Sequence, residues 1–113
     1  MISVINQPSG IALIEEPMKL EQKGLLLVDF CAPWCDVCQV TWSLTEGLVE
    51  YYQGHLKLRH VDVDEYPELA ARYQVRTVPT LVLLKDGDVV GRFVGTVIRE
   101  KVCTAVDGVL EGG

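Results

Sequence analysis

Apolar residues fall into short blocks along the chain, and their spacing switches between strand-like and helix-like periods. Leu25 to Phe30 is a short apolar run preceded by Gly24 and predicts a buried strand. From about Cys35 to Tyr52 the period lengthens. Val40, Leu44, Leu48 and Tyr52 recur every fourth residue and predict a helix, with Gly54 as its C-terminal stop. Leu56 to Val63 alternates and carries β-branched Val61 and Val63, so it predicts a second strand. A strand, a long helix and a strand in succession make a βαβ unit, which implies a parallel pair with a right-handed crossover. Asp64 is placed to cap a short helix through Tyr73, with Pro67 tolerated in its first turn.

Thr80 to Leu84 and Val89 to Val94 read as strands on either side of Lys85-Asp86-Gly87-Asp88, and an Asp-Gly pair between two such runs signals a hairpin. A last helix is expected over Val97 to Leu110, with Val102, Val106, Val109 and Leu110 on one face. Near the start, Ile2 to Ile5 reads as a short strand, and Pro8 to Leu20 has a helical tendency that Pro17 interrupts. The order βα, βαβ, α, ββα predicts an α/β domain with a central mixed sheet and helices on both faces. No repeat, low-complexity tract or linker divides the chain, so residues 1–113 are expected to form one domain.

Composition narrows the function more than the fold. With 113 residues and 49% hydrophobic content, the chain is long enough to bury a core without metals or several disulfides. A net charge of −6, with five lysines and five arginines scattered along the chain, argues against nucleic acid as a partner. No apolar stretch approaches the roughly 20 residues that cross a bilayer. Met1 to Gly10 lacks the basic start and apolar core of a secretory signal, so the expected setting is cytoplasmic.

Four cysteines are present, but Cys31, Cys35 and Cys38 fall within eight residues and only Cys103 is distant. Such clustering cannot staple a dispersed chain and points to redox chemistry or metal binding. Cys35-x-x-Cys38 directly follows the Leu25–Phe30 strand and opens the long helix. A thiol there faces unpaired backbone N–H groups and the positive end of the helix dipole, which favour the thiolate. Cys38, three residues on, shares its face one turn deeper. Cys35 is then the exposed nucleophile that attacks a disulfide, and Cys38 the resolving thiol that releases the product. A zinc-binding pair would require a second pair at suitable spacing. Asp29 interrupts a buried apolar strand, where desolvation should raise a carboxyl pKa.

The segment Leu27-Val28-Asp29-Phe30-Cys31-Ala32-Pro33-Trp34-Cys35-Asp36-Val37-Cys38 resembles the active-site stretch of the thioredoxin family. The resemblance continues through Tyr52-Gln53-Gly54, Val61-Asp62-Val63-Asp64, Tyr73-Gln74-Val75, Val78-Pro79-Thr80-Leu81 and Val94-Gly95, covering nearly everything after about Gly24. It implies the thioredoxin fold and dithiol–disulfide exchange with protein substrates, chiefly as a disulfide reductase. A thioredoxin-reductase-like protein would supply electrons, and the chain would act as a monomer with no cofactor beyond its own Cys35–Cys38 disulfide. By the same resemblance Pro79 would be a cis-proline beside the thiols. Trp34, Thr77, Val78, Val94 and Gly95 would join it in an apolar groove for substrate polypeptide, although Val78 and Val94 also suit core packing. Asp29 would match a buried acid that assists proton transfer at the resolving cysteine. His60 falls where the family often carries a lysine near that acid; it would pair with Asp29, join the relay, or simply be a satisfied strand residue.

Three departures bear on the chemistry. The family's usual Gly-Pro between the cysteines is replaced by Asp36-Val37, and this dipeptide tunes redox potential. Asp36 suits the helix dipole, yet its charge disfavours an adjacent thiolate, so the two effects oppose. Cys31 replaces a tryptophan usual in the family, as a small buried hydrophobe or as a regulatory thiol. Cys31-x3-Cys35-x2-Cys38 also matches the spacing of a cluster-binding motif in radical S-adenosylmethionine enzymes, but the chain is too short for their barrel. Two further functions therefore stand beside the oxidoreductase: a redox-sensing or partner-binding module, and an iron–sulfur or metal carrier. Cys103, beside the apolar stripe of the last helix, is expected to be partly exposed and incidental.

Overall fold

The computed structural model describes residues 23–95 and 97–112, so the expected strand Ile2–Ile5 and the helical tendency over Pro8–Leu20 lie outside the described residues. The elements are β1 (Leu25–Cys31), α1 (Asp36–Tyr51), β2 (Leu56–Asp62), α2 (Pro67–Arg72), β3 (Thr80–Lys85), β4 (Asp88–Val94) and α3 (Arg99–Gly112). They form one mixed sheet in the order β2-β1-β3-β4, with β1 parallel to β2 and β3 antiparallel to both β1 and β4. The expected α/β architecture is therefore present, with the βαβ unit spanning β1, α1 and β2.

β1 is flanked by strands on both edges and covered on both faces, which is why all seven of its residues are buried and its sequence does not alternate. Its side chains still divide by the two-residue period of a strand. Leu25 and Leu27 pack with Leu48, Val49 and Tyr52 of α1, Leu56 and Leu58 of β2, Leu81 and Leu83 of β3, and Val102 and Val106 of α3. Leu26, Val28 and Phe30 pack on the opposite face with Val61, Val82, Leu84 and Leu69 of α2. Full burial of each such leucine, valine or phenylalanine contributes about 1.5–3 kcal/mol. Asp29 and Cys31 follow Leu25 and Leu27 in this alternation, so both side chains enter the face covered by α1.

The hairpin between β3 and β4 takes the form its Asp-Gly pair predicts. Asp86 and Gly87 have φ of 51° and 92°, the left-handed backbone of a two-residue turn. Asp86 also accepts a hydrogen bond from Gly24 N at 2.7 Å through Oδ1 and donates its own N–H to Gly24 O at 3.0 Å, tying the turn to the start of β1.

Three expectations need correction. Val40 is 71% exposed, and α1 instead buries Cys38, Thr41, Thr45, Leu48 and Val49. A strict four-residue series drifts about 40° around a helix at each step, so Val40 and Tyr52 cannot share one face; the true stripe mixes steps of three and four. Asp64 does not cap α2, which starts at Pro67 with Tyr66 in the capping position and no side-chain cap. Its carboxylate is engaged by Trp34 instead. Leu110 is exposed on α3, one residue beyond half-buried Val109 and so rotated by about 100° from the core. Among the described residues no helix is long and apolar enough to cross a membrane.

Candidate active site

The chain leaves β1 at Cys31 and enters α1 within a few residues. Cys35 occupies the N-cap position with extended backbone (φ −98°, ψ 111°) and no side chain caps the helix. Its N–H donates to Ala32 O at 3.1 Å, and its carbonyl accepts from Cys38 N at 3.2 Å. The Cys35 thiol is thus half-buried at the open start of a 16-residue helix, where unpaired N–H groups and the dipole favour negative charge. Cys38 lies one turn behind and is buried, and all four cysteines are free thiols. Burial pushes the Cys38 thiol up to about 11, and its interaction with Cys35 adds to this, while the nearby Cys31 side chain and Ala32 backbone pull it down. One thiol is therefore accessible and its partner is sealed and held protonated, an asymmetry suited to successive attack and resolution.

A loop preceding β3 faces the pair. Its Val78–Pro79 peptide is cis, as the family resemblance implied. The Cys35 thiol lies 4.0 Å from Val78 O, within hydrogen-bonding reach for sulfur. Gly95 N donates to Pro79 O at 2.9 Å, and Thr80 Oγ1 donates to Thr77 O at 2.7 Å, so β4 and β3 hold the loop in place. Trp34 is 68% exposed, and its Nε1 donates to Asp64 Oδ2 at 2.8 Å, which fixes the indole beside the loop. A cleft of about 360 Å³ is lined by Trp34, Val63, Val75, Arg76, Thr77 and Val78. A second, of about 270 Å³, is lined by Gln74, Arg76, Thr77, Thr80, Arg92 and Val94. Val94 is 58% exposed, so core packing does not account for it. Asp36 and Val37 are exposed on the first turn of α1.

Beneath the thiols lies a buried polar cluster. Asp29 is 0% exposed, and its Oδ1 accepts a hydrogen bond from the Cys31 thiol at 2.8 Å. Burial pushes the Cys31 thiol far up, and the Asp29 charge adds to the shift, so Cys31 keeps its proton. The β1–β2 register sets Asp29 directly beside His60. His60 Nδ1 lies 3.2 Å from Asp29 Oδ2, and His60 Nε2 lies 3.9 Å from Glu46 Oε2. Despite these approaches, neither Asp29 Oδ2 nor His60 Nε2 has a hydrogen-bond partner. The His60 ring packs against Trp42 at 4.3 Å between centroids. The structure thus places His60 beside Asp29, as the pairing reading of the sequence expects, with its Nε2 left without a hydrogen-bond partner. Cys103 is half-buried on α3 with its sulfur 3.6 Å from Arg99 Nη1, away from this cluster.

Trp42, Glu46, Asp64 and Arg76 were not anticipated. Trp42 and Glu46 were detectable, because with Cys38 they form a series at four-residue spacing on α1. Asp64 and Arg76 lie in loops whose approach to Trp34 no local pattern encodes. Among the described residues no group of three or more His, Cys, Asp or Glu is arranged to hold a metal ion, so the metal-carrying alternative gains nothing from the geometry.

A mixed sheet presenting a Cys-x-x-Cys pair at a helix start, opposite a cis-proline loop, defines a dithiol domain of the α/β class. Comparison with known proteins agrees. The family profile described as Thioredoxin matches residues 16–108. Thioredoxin from Staphylococcus aureus is 38% identical over 86 residues, spanning 76% of this chain and 83% of its own. Among solved structures, a mutant thioredoxin from Halobacterium salinarum superposes with a TM-score of 0.71 at 36% identity, covering 78% of this chain and 76% of its own. Oxidized mitochondrial thioredoxin 3 from Saccharomyces cerevisiae gives 0.69 at 30% identity, covering 77% and 80%. The chain belongs to the thioredoxin family, and with that membership goes a thiol–disulfide oxidoreductase kind of function.

Proposed function

We propose that the chain reduces protein disulfides through Cys35 and Cys38. The observation that carries this is the asymmetry of the pair: Cys35 half-exposed at the helix N-cap beside Val78 O, and Cys38 buried one turn behind. Cys35 thiolate attacks a substrate sulfur, expelling the other substrate sulfur as a thiolate and forming a mixed disulfide. Cys38 then attacks the Cys35 sulfur, releasing the second substrate thiol and closing the Cys35–Cys38 disulfide. Asp29 accepts the proton that Cys38 must lose. Trp34, Thr77, Val78, Pro79, Val94 and Gly95 hold the substrate segment, with Arg76 at the junction of the two clefts. Asp36, Val37, Cys31 and His60 set the balance between dithiol and disulfide. A thioredoxin-reductase-like protein or another thiol donor restores the dithiol.

Insulin reduction with dithiothreitol as donor tests this directly. The wild-type chain should precipitate the reduced insulin chains well ahead of the dithiothreitol control. Cys35→Ser should return the rate to that control; full turnover by this variant would overturn the assignment.

A further inference from the structure

The chain carries a net charge of −6, yet the surface that leads away from Cys35 past the cis-proline loop is lined by cations. Three clefts follow one another along it and share their walls. The cleft beside Trp34 meets the second through Arg76 and Thr77. The second meets a third, of about 190 Å³, through Arg92 and Val94, and Lys101 of α3 stands in the wall of that third cleft. Arg76, Arg92 and Lys101 are exposed, and no Asp or Glu lines any part of this trough. Among the described residues none of these three cations pairs with a carboxylate. Arg92 is pinned by backbone instead: its guanidinium donates to Tyr73 O and Gln74 O, which fixes the charge in place without neutralising it. Asp64 is occupied by Trp34 Nε1 at 2.8 Å and Asp36 stands on the first turn of α1, and neither lines the trough. Apolar side chains alternate with the cations, Val94 and Ile98 being 58% and 50% exposed.

We propose that this trough selects polypeptide segments with acidic residues flanking the target disulfide, and that Arg76, Arg92 and Lys101 set the preference. The proposal rests on the disulfide-exchange reading above and names the class of substrate that the same site takes. A substrate cysteine that reaches Cys35 lies beside Val78 and Val94, so the residues flanking it run over the cations. Carboxylates there meet positive charge that no group of this chain has neutralised, and each exposed pair contributes up to about fivefold in affinity. Lysines in the same places meet like charge. Net charge alone dictates the reverse, because an acidic protein attracts basic peptides over long range. The two influences separate by distance: at 0.1 M salt charges are screened over about 10 Å, which mutes the remote acids more than the cations in contact.

Full-length dithiol protein carrying Cys103→Ser is mixed with peptides identical except that their single cysteine is flanked by Asp, by Asn or by Lys. Each cysteine is activated as a mixed disulfide with a neutral aromatic thiol, whose coloured release reports attack by Cys35 as a second-order rate constant. At about 0.1 M salt the Asp peptide should react about three- to tenfold faster than the Asn peptide, and the Lys peptide more slowly than either. Raising the salt should draw the three rates together. Lys101→Glu and Arg76→Gln should each cut the Asp-to-Asn ratio by about two- to fivefold, and Lys101→Glu should raise the Lys-to-Asn ratio. An Asp peptide no faster than the Asn peptide overturns the proposal, as does a Lys peptide faster than both, the order that net charge dictates. A ratio that neither substitution moves overturns it too. Failure of every peptide to release the aromatic thiol would instead refute the dithiol mechanism, and the selectivity with it.

Discussion

Selective alkylation of the dithiol form is the sharpest test of the difference between Cys35 and Cys38. Burial pushes Cys38 up to about 11, against 9.0 for an unperturbed thiol. At pH 7 its thiolate fraction falls from about one in a hundred to about one in ten thousand, a loss of about a hundredfold. A more basic thiolate is also a better nucleophile, and with a Brønsted slope of about 0.4–0.5 two pH units recover roughly tenfold. Cys38 should therefore react with iodoacetamide about tenfold more slowly than the same thiol in urea, before steric exclusion by the protein slows it further. The direction with pH follows from the raised value. Below pH 9 the thiol is protonated whether folded or not; between about 9 and 11 the unfolded chain ionises and the folded one does not. The alkylation rate should thus climb about tenfold per pH unit to near 11, and over that window the reduced protein should lose stability. Mass spectrometry of Cys35→Ser and Cys38→Ser variants resolves the two sites. A Cys38 rate that levels off near pH 9, or that matches the urea-unfolded thiol at pH 7, would refute the argument.

Two further outcomes concern the scaffold. Leu48→Ala removes a fully buried side chain from the α1–sheet core and should cost about 2–5 kcal/mol in urea unfolding, whereas Val40→Ala, on the exposed face of the same helix, should stay within about 0.5 kcal/mol; equal effects would contradict the helix orientation. Tyr52→Phe deletes a hydroxyl that donates to Asp107 Oδ1 at 2.7 Å and lies 3.3 Å from Cys103 O, linking α1 to α3. A loss of about 1–3 kcal/mol is expected by thermal unfolding, and none would mean that the link is solvent-compensated.

Local patterns along the chain were sufficient for much of this protein. The βαβ unit, the Asp86-Gly87 hairpin and the placement of Cys35 at the start of α1 follow from short-range periodicity, turn chemistry and helix-end electrostatics, which act over a few residues. Apolar character alone puts Val40 on the core face of α1, whereas it is the smaller and more polar Cys38, Thr41 and Thr45 that face the core. Asp64 looked like a cap because capping residues are recognised by their neighbours, whereas its partner Trp34 lies 30 residues away. Only tertiary structure decided that Asp29, Cys31, His60 and Glu46 form one cluster. Their proximity depends on the β1–β2 register and on the rotation of α1 above the sheet. These long-range placements are set by how the whole core packs, and a buried carboxylate draws its partners from whichever strands and helices that packing brings beside it.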